Sequence, residues 1–340
     1  MPLMEAFDRL QLPQLNRNLF SSFDWTRVIY KTYGLQLFVK YLEKEGEVVS
    51  YIGYSVVRNF LEWKICVGSY CDYLDCYVQS SQHWDIFVES LRAQYPQYRI
   101  AVRNLRDETA RSCKYFKVLS KERFHEMDVR ESLEDIRRST YKTFREACAR
   151  PRNMGVKVKE CPRSELRTFY NLHLRLRKTK YKLFPQPYRF FEIIWDQYIA
   201  NGKGVLLGAY DRFGDMIGAS MFLVCADTLY YKFSTSRMDA IHLNPNKLLI
   251  WEGICYAKKK DLNYVDLGSS GWDQEGLIWF KNHICKLTKQ YEITHLGFSP
   301  PTYKFSQKRV LKLYTKLFTQ SWMPDRMVEF GSNFIYPFLA

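Results

Sequence analysis

The first half of the chain has the hydrophobic pattern of a strand-rich α/β structure. A helical pattern after Asp24 ends at Gly34, and glycine is the residue that most often closes a helix. β-branched and aromatic residues dominate the next stretch, which is interrupted at Glu45-Gly46, so we expect a meander of strands with one hairpin. A helix over 81–94 and two further short strands are expected before residue 120.

The middle of the chain has mainly helical spacing. Apolar residues over 131–150, with charges between them, predict one basic amphipathic helix that Pro151 closes. A short strand at 155–159 and two further helices, over about 162–180 and 188–202, are expected to follow. The loop between those two helices contains two prolines, which favour a break.

Three successive strands are predicted at 204–210, 216–226 and 228–236. A polar turn at 211–215 joins the first two as a hairpin. The near-continuous apolar character of these strands indicates that both of their faces are covered. This part of the chain is therefore expected to form a buried sheet.

A capped helix and a fourth strand complete this pattern. Asn244 is a favoured N-cap residue, and Pro245 suits the first helical position. A strand over 264–267 follows the helix, and a closing turn then carries Phe280 and Lys281. Because a helix N-terminus offers free N–H groups to an anion, we expect an active site in this region.

The length and composition of the chain allow a folded protein with a buried core. With 340 residues, 46% hydrophobic and 26% charged, the chain can bury a core and suits two domains of about 150 residues each. Its apolar runs are shorter than the roughly 20 residues that span a bilayer, and the N-terminus lacks the basic start and apolar core of a secretory signal. We therefore expect a folded protein that stays in the cytoplasm.

The net charge of +15 is concentrated in the middle quarter. Residues 99–182 hold 24 Lys and Arg against 11 Asp and Glu, a net of +13. Such a concentration indicates a polyanionic partner, which could be nucleic acid, a phosphorylated substrate or an anionic membrane surface. For any single residue, a solvated helix face is the alternative interpretation.

Cysteine and histidine spacing does not predict a metal site. The nine cysteines are odd in number and form no CxxC pair, so we interpret them as small buried hydrophobes in a reducing compartment. Cys66, Cys71 and Cys76 are five residues apart, which is wider than usual for zinc ligands, and no histidine pair lies nearby.

The motifs between residues 155 and 281 carry a family resemblance. The order YYKF (230–233), L-x-P-N-x-L-L-x-W-E (243–252), D-L-G (266–268) and Phe280-Lys281 resembles the FemAB-like branch of the GNAT acyltransferases. A basic helix, a G-V-x-V strand and an F-Y-x-L helix upstream are similar as well. The basic helix, proline turn and apolar end of the tail resemble the subgroup associated with exopolysaccharide and exosortase systems.

The resemblance implies an α/β (α+β) fold with two GNAT-like lobes, whose mixed and mostly antiparallel sheets are flanked by helices. The first lobe would comprise residues 1–130 and the acyltransferase domain 131–300. Residues 301–340 would form a basic amphipathic tail. That tail could rest on an anionic membrane surface, or it could pack on its own domain.

The resemblance also implies an N-acyltransferase. An acyl or aminoacyl group would pass from acyl-CoA or aminoacyl-tRNA to an amino group of a cell-envelope or exopolysaccharide precursor, with no bound cofactor. Direct transfer of this kind needs no enzyme nucleophile, which agrees with a sequence that has no G-x-S-x-G, P-loop or HExxH motif. The protein would be cytoplasmic, with peripheral contact at the inner membrane face as an option.

The expected catalytic residues are Lys281, Phe280 and Asp266. By motif, Lys281 would neutralise a donor phosphate or the developing oxyanion, and Phe280 would pack on a base or ring. Asp266 would act as a base or orient the amine, with Glu252 as an alternative. Without the resemblance, Lys281 and Phe280 would be interpreted as an ordinary surface lysine beside a core phenylalanine.

The expected donor-binding residues are Lys232, Asn246 and Lys247. Asn246 and Lys247 would lie at the mouth of the helix that starts at Pro245, where capping and solvation are the alternative roles. Lys232 would either face a cleft or extend its amino group to solvent. His242 and His283 flank this region and could supply a base.

Two departures from the family pattern leave the donor open. The Phe-Lys pair is followed by Ile284-Cys285, where relatives often have Trp-Gly, and the loop 238–243 is not glycine-rich. An ordinary CoA site is therefore in doubt, and the basic middle quarter makes aminoacyl-tRNA a rival donor. A non-catalytic protein that binds RNA or an anionic membrane on a GNAT-like scaffold is the alternative function.

Overall fold

The computed structural model describes residues 16–58, 63–300, 313 and 315–336, together with 2, 5 and 12. These residues divide into two compact units. The N unit comprises Met1–Arg123, Tyr291–Leu313 and Ile335–Ala340, and the C unit comprises Phe124–Gln290 and Tyr314–Phe334. Two of these boundaries fall inside strands, β5 (Lys117–Asp128) and β11 (Thr288–Phe298).

In its described part, the N unit contains three α-helices with defined ends and the strands of a mixed sheet. Its helices are α1 (Phe23–Tyr33), α2 (Ser81–Gln94) and α3 (Glu108–Arg111). Its strands are β1 (Leu37–Lys44), β2 (Glu47–Arg58), β3 (Trp63–Val67) and β4 (Arg99–Asn104), with the larger parts of β5 (Lys117–Asp128) and β11 (Thr288–Phe298). β1, β2 and β3 are successively antiparallel, whereas β3 and β4 are parallel.

Seven α-helices of the C unit have both of their ends within the described residues. They are α4 (Leu133–Ser139), α5 (Lys142–Asn153), α6 (Leu166–Leu176), α7 (Tyr188–Gln197), α8 (Pro245–Lys259), α9 (Glu275–Asn282) and α10 (Asp325–Ile335). Its strands, besides the end of β5, are β6 (Lys157–Glu160), β7 (Gly204–Tyr210), β8 (Met216–Cys225), β9 (Thr228–Ser236) and β10 (Tyr264–Gly271). Their order is β5-β10-β9-β8-β7-β6, and only β9 and β10 among the last five are parallel neighbours.

Both units follow the same chain plan. Three successive antiparallel strands lead into a helix, and the helix returns the chain to a strand that runs parallel to the third one. In the N unit the helix is α2, between β3 and β4; in the C unit it is α8, between β9 and β10. The prediction of an α/β fold with mixed, mostly antiparallel sheets is confirmed.

Helix α8 packs against the sheet of the C unit and organises its core. Leu248, Leu249 and Ile254 are buried with apolar side chains of β7, β8 and β10. The approach is closest at Gly253, where a Cβ would lie 2.5 Å from the ring of Phe222 on β8. The helix can pack this closely only because residue 253 has no side chain.

The predicted helix over 131–150 is wrong as a single element. It is two helices, α4 and α5, and the chain between them is extended at Thr140 and Tyr141. The N–H of Tyr141 donates to Ile284 O at 3.3 Å, and Ser139 O accepts from Lys286 N at 2.9 Å. Pairing with this distant segment replaces the helical hydrogen bonds. Pro151 does not close α5, which continues to Asn153.

The stretch before Phe280 and Lys281 is also different from the prediction. It is helix α9 and not a closing turn, so both residues lie on a helix. Strand β11 and helix α10 were not predicted at all. Most of the helix expected from residue 303 onwards lies outside the described residues.

Candidate functional site

The parallel pairing of β9 and β10 ends within the C unit, before either strand does. Tyr230 and Asp266 form the last pair in register, whereas β9 continues to Ser236 and β10 to Gly271. The carboxyl ends of two parallel strands and the N-terminus of the helix that joins them lie at the same edge of a sheet. The expected site residues are therefore gathered at this edge.

A β-bulge in β9 places Lys232 next to that point. Met221 of β8 lies opposite Phe233, and the next residue, Phe222, lies opposite Tyr231. Lys232 is the extra residue between them. A bulge bends its strand and redirects the side chain at that position, and bulges occur often beside active sites. The neighbouring Tyr231 has its pKa raised to about 12, mainly because burial disfavours the phenolate.

The N-terminus of α8 has an unusual cap. Asn244 is the N-cap residue but lies in the left-handed region, with φ of 48°, and its side chain makes no capping hydrogen bond. Asn244 is thus the N-cap residue and Pro245 lies in the first turn, as predicted, but the Asn244 side chain does not supply the capping hydrogen bond. The preceding residues, Met238–Leu243, form a 3₁₀ helix.

Asn246 and Lys247 lie in the first turn of α8, as expected. Among the described residues, the side-chain oxygen of Asn246 has no hydrogen-bond partner although it is buried. A buried polar atom without a partner is costly, which favours a ligand or ordered water beside it. Lys247 Nζ lies 6.0 Å from the centre of the Phe280 ring, so α8 and α9 bring these two predicted residues together.

Asp266 and Lys281 are both buried and are joined through Gly268. The carboxylate oxygen Oδ1 of Asp266 accepts from the N–H of Gly268 at 2.7 Å. Lys281 Nζ donates to the carbonyl oxygens of Gly268 and Ser269 and to Ser270 Oγ, each at 2.9 Å. An ammonium has three N–H donors, and these contacts account for three. Lys281 therefore holds the end of β10, and it is not the surface lysine of the alternative interpretation.

Two serines and two tryptophans at this edge were not predicted as site residues. Ser269 and Ser270 contribute the oxygens that bind Lys281, and the signal was the short G-S-S-G run directly after Asp266. Trp272 and Trp279 are exposed on either side of the start of α9.

The alternative bases are engaged in other contacts. Glu252 forms an ion pair with Arg152. His242 is exposed, and its Nδ1 lies 2.9 Å from the Asp239 carbonyl oxygen. His283 stacks on Trp279 with ring centres 4.2 Å apart, and its Nδ1 lies 2.7 Å from the Trp279 carbonyl oxygen.

The basic middle quarter is partly neutralised inside the C unit. Lys178 and Arg175 pair with Asp325, and Arg167 pairs with Glu329. Other basic residues, such as Arg137 and Arg150, are exposed on α4 and α5. A polyanionic partner stays a prediction.

In the described residues, no group of three or more His, Cys, Asp or Glu could hold a metal ion. Within the same part of the chain, no helix is both long enough and apolar enough to cross a membrane.

Comparison with known families identifies the larger unit. Residues 136–274, which contain β9, α8 and β10, match the sequence model of the acetyltransferase (GNAT) domain. The chain therefore contains a GNAT acetyltransferase domain. This confirms the resemblance that the motifs between residues 141 and 281 indicated. No curated protein matches the chain in sequence.

Solved structures with low sequence identity share the fold of most of the chain. FemX has 13% identity and a TM-score of 0.64, over 88% of this chain and 94% of its own. L-PGS from Bacillus licheniformis has 11% identity and a TM-score of 0.54, over 94% and 96%. A tandem GNAT protein from the clavulanic acid biosynthesis pathway has 10% identity and a TM-score of 0.54, over 79% and 85%. These likenesses support the FemAB-like branch and two GNAT-like lobes, whereas the exopolysaccharide subgroup stays a prediction.

Proposed function

We propose that this protein is an N-acyltransferase that moves an acyl or aminoacyl group from acyl-CoA or aminoacyl-tRNA to an amino group of a cell-envelope or exopolysaccharide precursor. The observation that carries the proposal is the early end of the β9–β10 pairing beside the N-terminus of α8. This arrangement offers an opening between strands, flanked by helix N–H groups, inside the matched GNAT domain.

The donor would be bound by its phosphates at the start of α8. Both donor classes carry phosphates and an adenosine, so a cationic helix end suits either one. In this proposal Lys232 and Lys247 supply positive charge to the phosphates of the acyl donor. The unpartnered side-chain oxygen of Asn246 accepts a hydrogen bond from an N–H or O–H group of the same molecule. The 3₁₀ helix before α8 contains no glycine, so the donor would approach the side chains more than the loop backbone.

The reaction would be a direct transfer. The neutral acceptor amine attacks the donor carbonyl carbon and forms the new C–N bond. The C–S bond of a thioester or the C–O bond of a tRNA ester breaks, and the leaving group takes up the proton that the amine loses. Stabilising the oxyanion between these events is the main task of the protein.

Asp266 and Lys281 would act at the end of β10. We assign Asp266 to orienting the amine and Lys281 to the developing oxyanion or a donor phosphate. Since Nζ of Lys281 is already bound by three oxygens, it must exchange one of them for the donor's oxygen to make that contact. Until then it fixes the position of Gly268–Ser270. Phe280, which faces Lys247, would pack on the donor.

The acceptor and the location complete the proposal. The exposed rings of Trp272 and Trp279 offer flat surfaces on which a sugar or peptide could pack. Both donor classes are cytoplasmic molecules, so the reaction would take place there. A peripheral contact with an anionic inner membrane face, which the tail composition predicted, also belongs to this proposal.

The donor is tested by incubating the pure protein with acetyl-CoA or with charged tRNA in separate reactions. Amino sugars and muropeptides serve as acceptors, and mass spectrometry detects the product. We expect transfer from one donor class, with loss of transfer in Asn246→Ala and Lys247→Ala. Lys286→Ala, an exposed lysine after α9, is the control. Transfer with neither donor to any amine would contradict the proposed function.

A further inference from the structure

Helix α10 in the C unit has two different faces. Val328, Gly331 and Ser332 are buried, and a Cβ on Gly331 would lie 2.9 Å from the ring of Phe318. On the opposite face, Met327 is 50% exposed, Phe330 64% and Phe334 59%. One side of α10 therefore already packs within the C unit. The exposed aromatic side chains lie on the other side, away from that packed face.

The exposed residues form one stripe. At 100° per residue, Arg326, Met327, Phe330 and Phe334 fall on the same third of the helix surface. The rings of Phe330 and Phe334 lie 4.8 Å apart and make contact. Trp322, three residues before the helix, is also exposed. A continuous apolar stripe of this kind marks an interaction surface.

The acidic side chains of α10 are turned inward. Asp325 accepts from Lys178 Nζ at 2.9 Å and from Arg175 Nε at 3.2 Å. Glu329 accepts from Arg167 at 2.9 Å. Asp325 and Glu329 are the only carboxylate side chains in the sequence of α10. Because both carboxylates pair with basic residues of α6 or with Lys178 just after it, Arg326 is the charged residue of the outer stripe.

Positive charge also dominates the sequence before α10. Residues 301–324 contain five Lys and Arg and no Asp or Glu. Lys316, in the described part of this segment, is exposed. Basic residues beside an outward row of aromatic and methionine side chains complement an anionic lipid surface, where the rings enter the headgroup layer and the cations stay among the phosphates.

We propose that the outer stripe of α10, formed by Arg326, Met327, Phe330 and Phe334, docks the protein onto an anionic lipid bilayer. A protein partner would be expected to supply carboxylates to Arg326 and a groove for the rings. Residues 301–324 carry no acidic side chain, and the stripe has only two aromatic rings. Both features fit a lipid surface, which is anionic over its whole area and which two rings would enter only to a small depth. The inference rests on the peripheral membrane contact of the proposed function and assigns the surface that makes it.

Co-sedimentation with vesicles tests the docking. The full chain is mixed with vesicles of phosphatidylcholine alone or of phosphatidylcholine and phosphatidylglycerol in equal parts. We expect binding to the anionic vesicles, reduced at least about tenfold in the double variant Phe330→Ser/Phe334→Ser, since each ring loses part of its burial energy. Arg326→Glu should weaken binding most at low salt. Phe213→Ser is the matched control, because Phe213 is 77% exposed in the β7–β8 turn.

Three results would overturn the docking. They are no binding to anionic vesicles, equal loss in the Phe213→Ser control, and a dimer in sedimentation equilibrium that the double variant breaks while lipid binding is absent. Transfer to a soluble acceptor is measured in parallel without vesicles. The double variant should keep that activity, so loss of docking and failure of the transfer reaction are separate outcomes.

Discussion

Asp266 and Lys281 bind the same residue, Gly268, through its two backbone polar groups. The Gly268 N–H donates to Asp266 at 2.7 Å, and its carbonyl oxygen accepts from Lys281 at 2.9 Å. Gly268 itself has φ of +75°, a conformation that glycine adopts without strain. The carboxylate and the ammonium thus fix the point where β10 leaves its pairing with β9.

Lys281→Met should lower both stability and transfer. The substitution leaves the carbonyl oxygens of Gly268 and Ser269 without this donor in a buried place, which costs about 1–3 kcal/mol of the free energy of unfolding. Urea denaturation gives the stability, and initial rates give kcat and KM. Lys286→Met, on the exposed surface, should change neither. An unchanged urea midpoint would mean that the contacts of Lys281 are not structural.

Lys247→Ala should raise KM for the donor more than it lowers kcat. In the proposed site this lysine binds phosphates that are present equally in the substrate and in the transition state. Its loss should therefore weaken the binding of both states by the same amount, which raises KM and leaves kcat nearly unchanged. The KM of the wild type should also rise with salt, and that dependence should be weaker in the variant. A drop in kcat with unchanged KM would instead place Lys247 at the reacting carbonyl.

Gly253→Ala should destabilise the C unit. The new Cβ would lie 2.5 Å from the Phe222 ring, so α8 or the ring must move, at a typical cost of about 1–3 kcal/mol. Gly276→Ala is the matched control in α9, because no atom lies within 4 Å of its added Cβ and alanine favours a helix by about 0.5–1 kcal/mol. Thermal unfolding should thus shift in opposite directions. The double variant Gly253→Ala/Phe222→Leu should recover part of the loss.

His173 should make stability fall in acid. Burial lowers its pKa to about 3, with Arg177 adding repulsion, whereas the unfolded chain has a pKa near 6.5. Between these values the unfolded state binds the proton and the folded state does not. The free energy of unfolding should therefore decrease as the pH falls from about 6.5 to 3, by up to about 1.4 kcal/mol per unit. Urea titrations of wild type and His173→Leu measure this, and equal slopes would refute it.

Local sequence signals predicted most elements of the fold correctly. The αL glycine at Gly34 ends α1, and the near-continuous apolar runs and turn residues predicted β7, β8 and β9 close to their observed bounds. Pro245 starts α8 as expected. Each of these features depends on neighbours a few residues away, which is why a single sequence shows it.

Two of the failures share a physical cause, which is pairing with a distant segment. The pattern of 131–150 is helical, yet Tyr141 donates to Ile284 O and the helix breaks. Thr288–Phe298 forms β11, which was not predicted and pairs with β4. Partners more than a hundred residues apart leave no periodic trace in either segment.

The sequence by itself determined the GNAT-like motifs and the residues that carry them, because those motifs are short and their spacing is local. Only the tertiary structure decided what the residues do to one another. It buried Lys281 on the oxygens of Gly268–Ser270, left the Asn246 oxygen without a partner among the described residues, and turned the carboxylates of α10 towards Arg167 and Lys178. Burial and partner choice depend on which surfaces meet in the fold, and the chain order does not specify that.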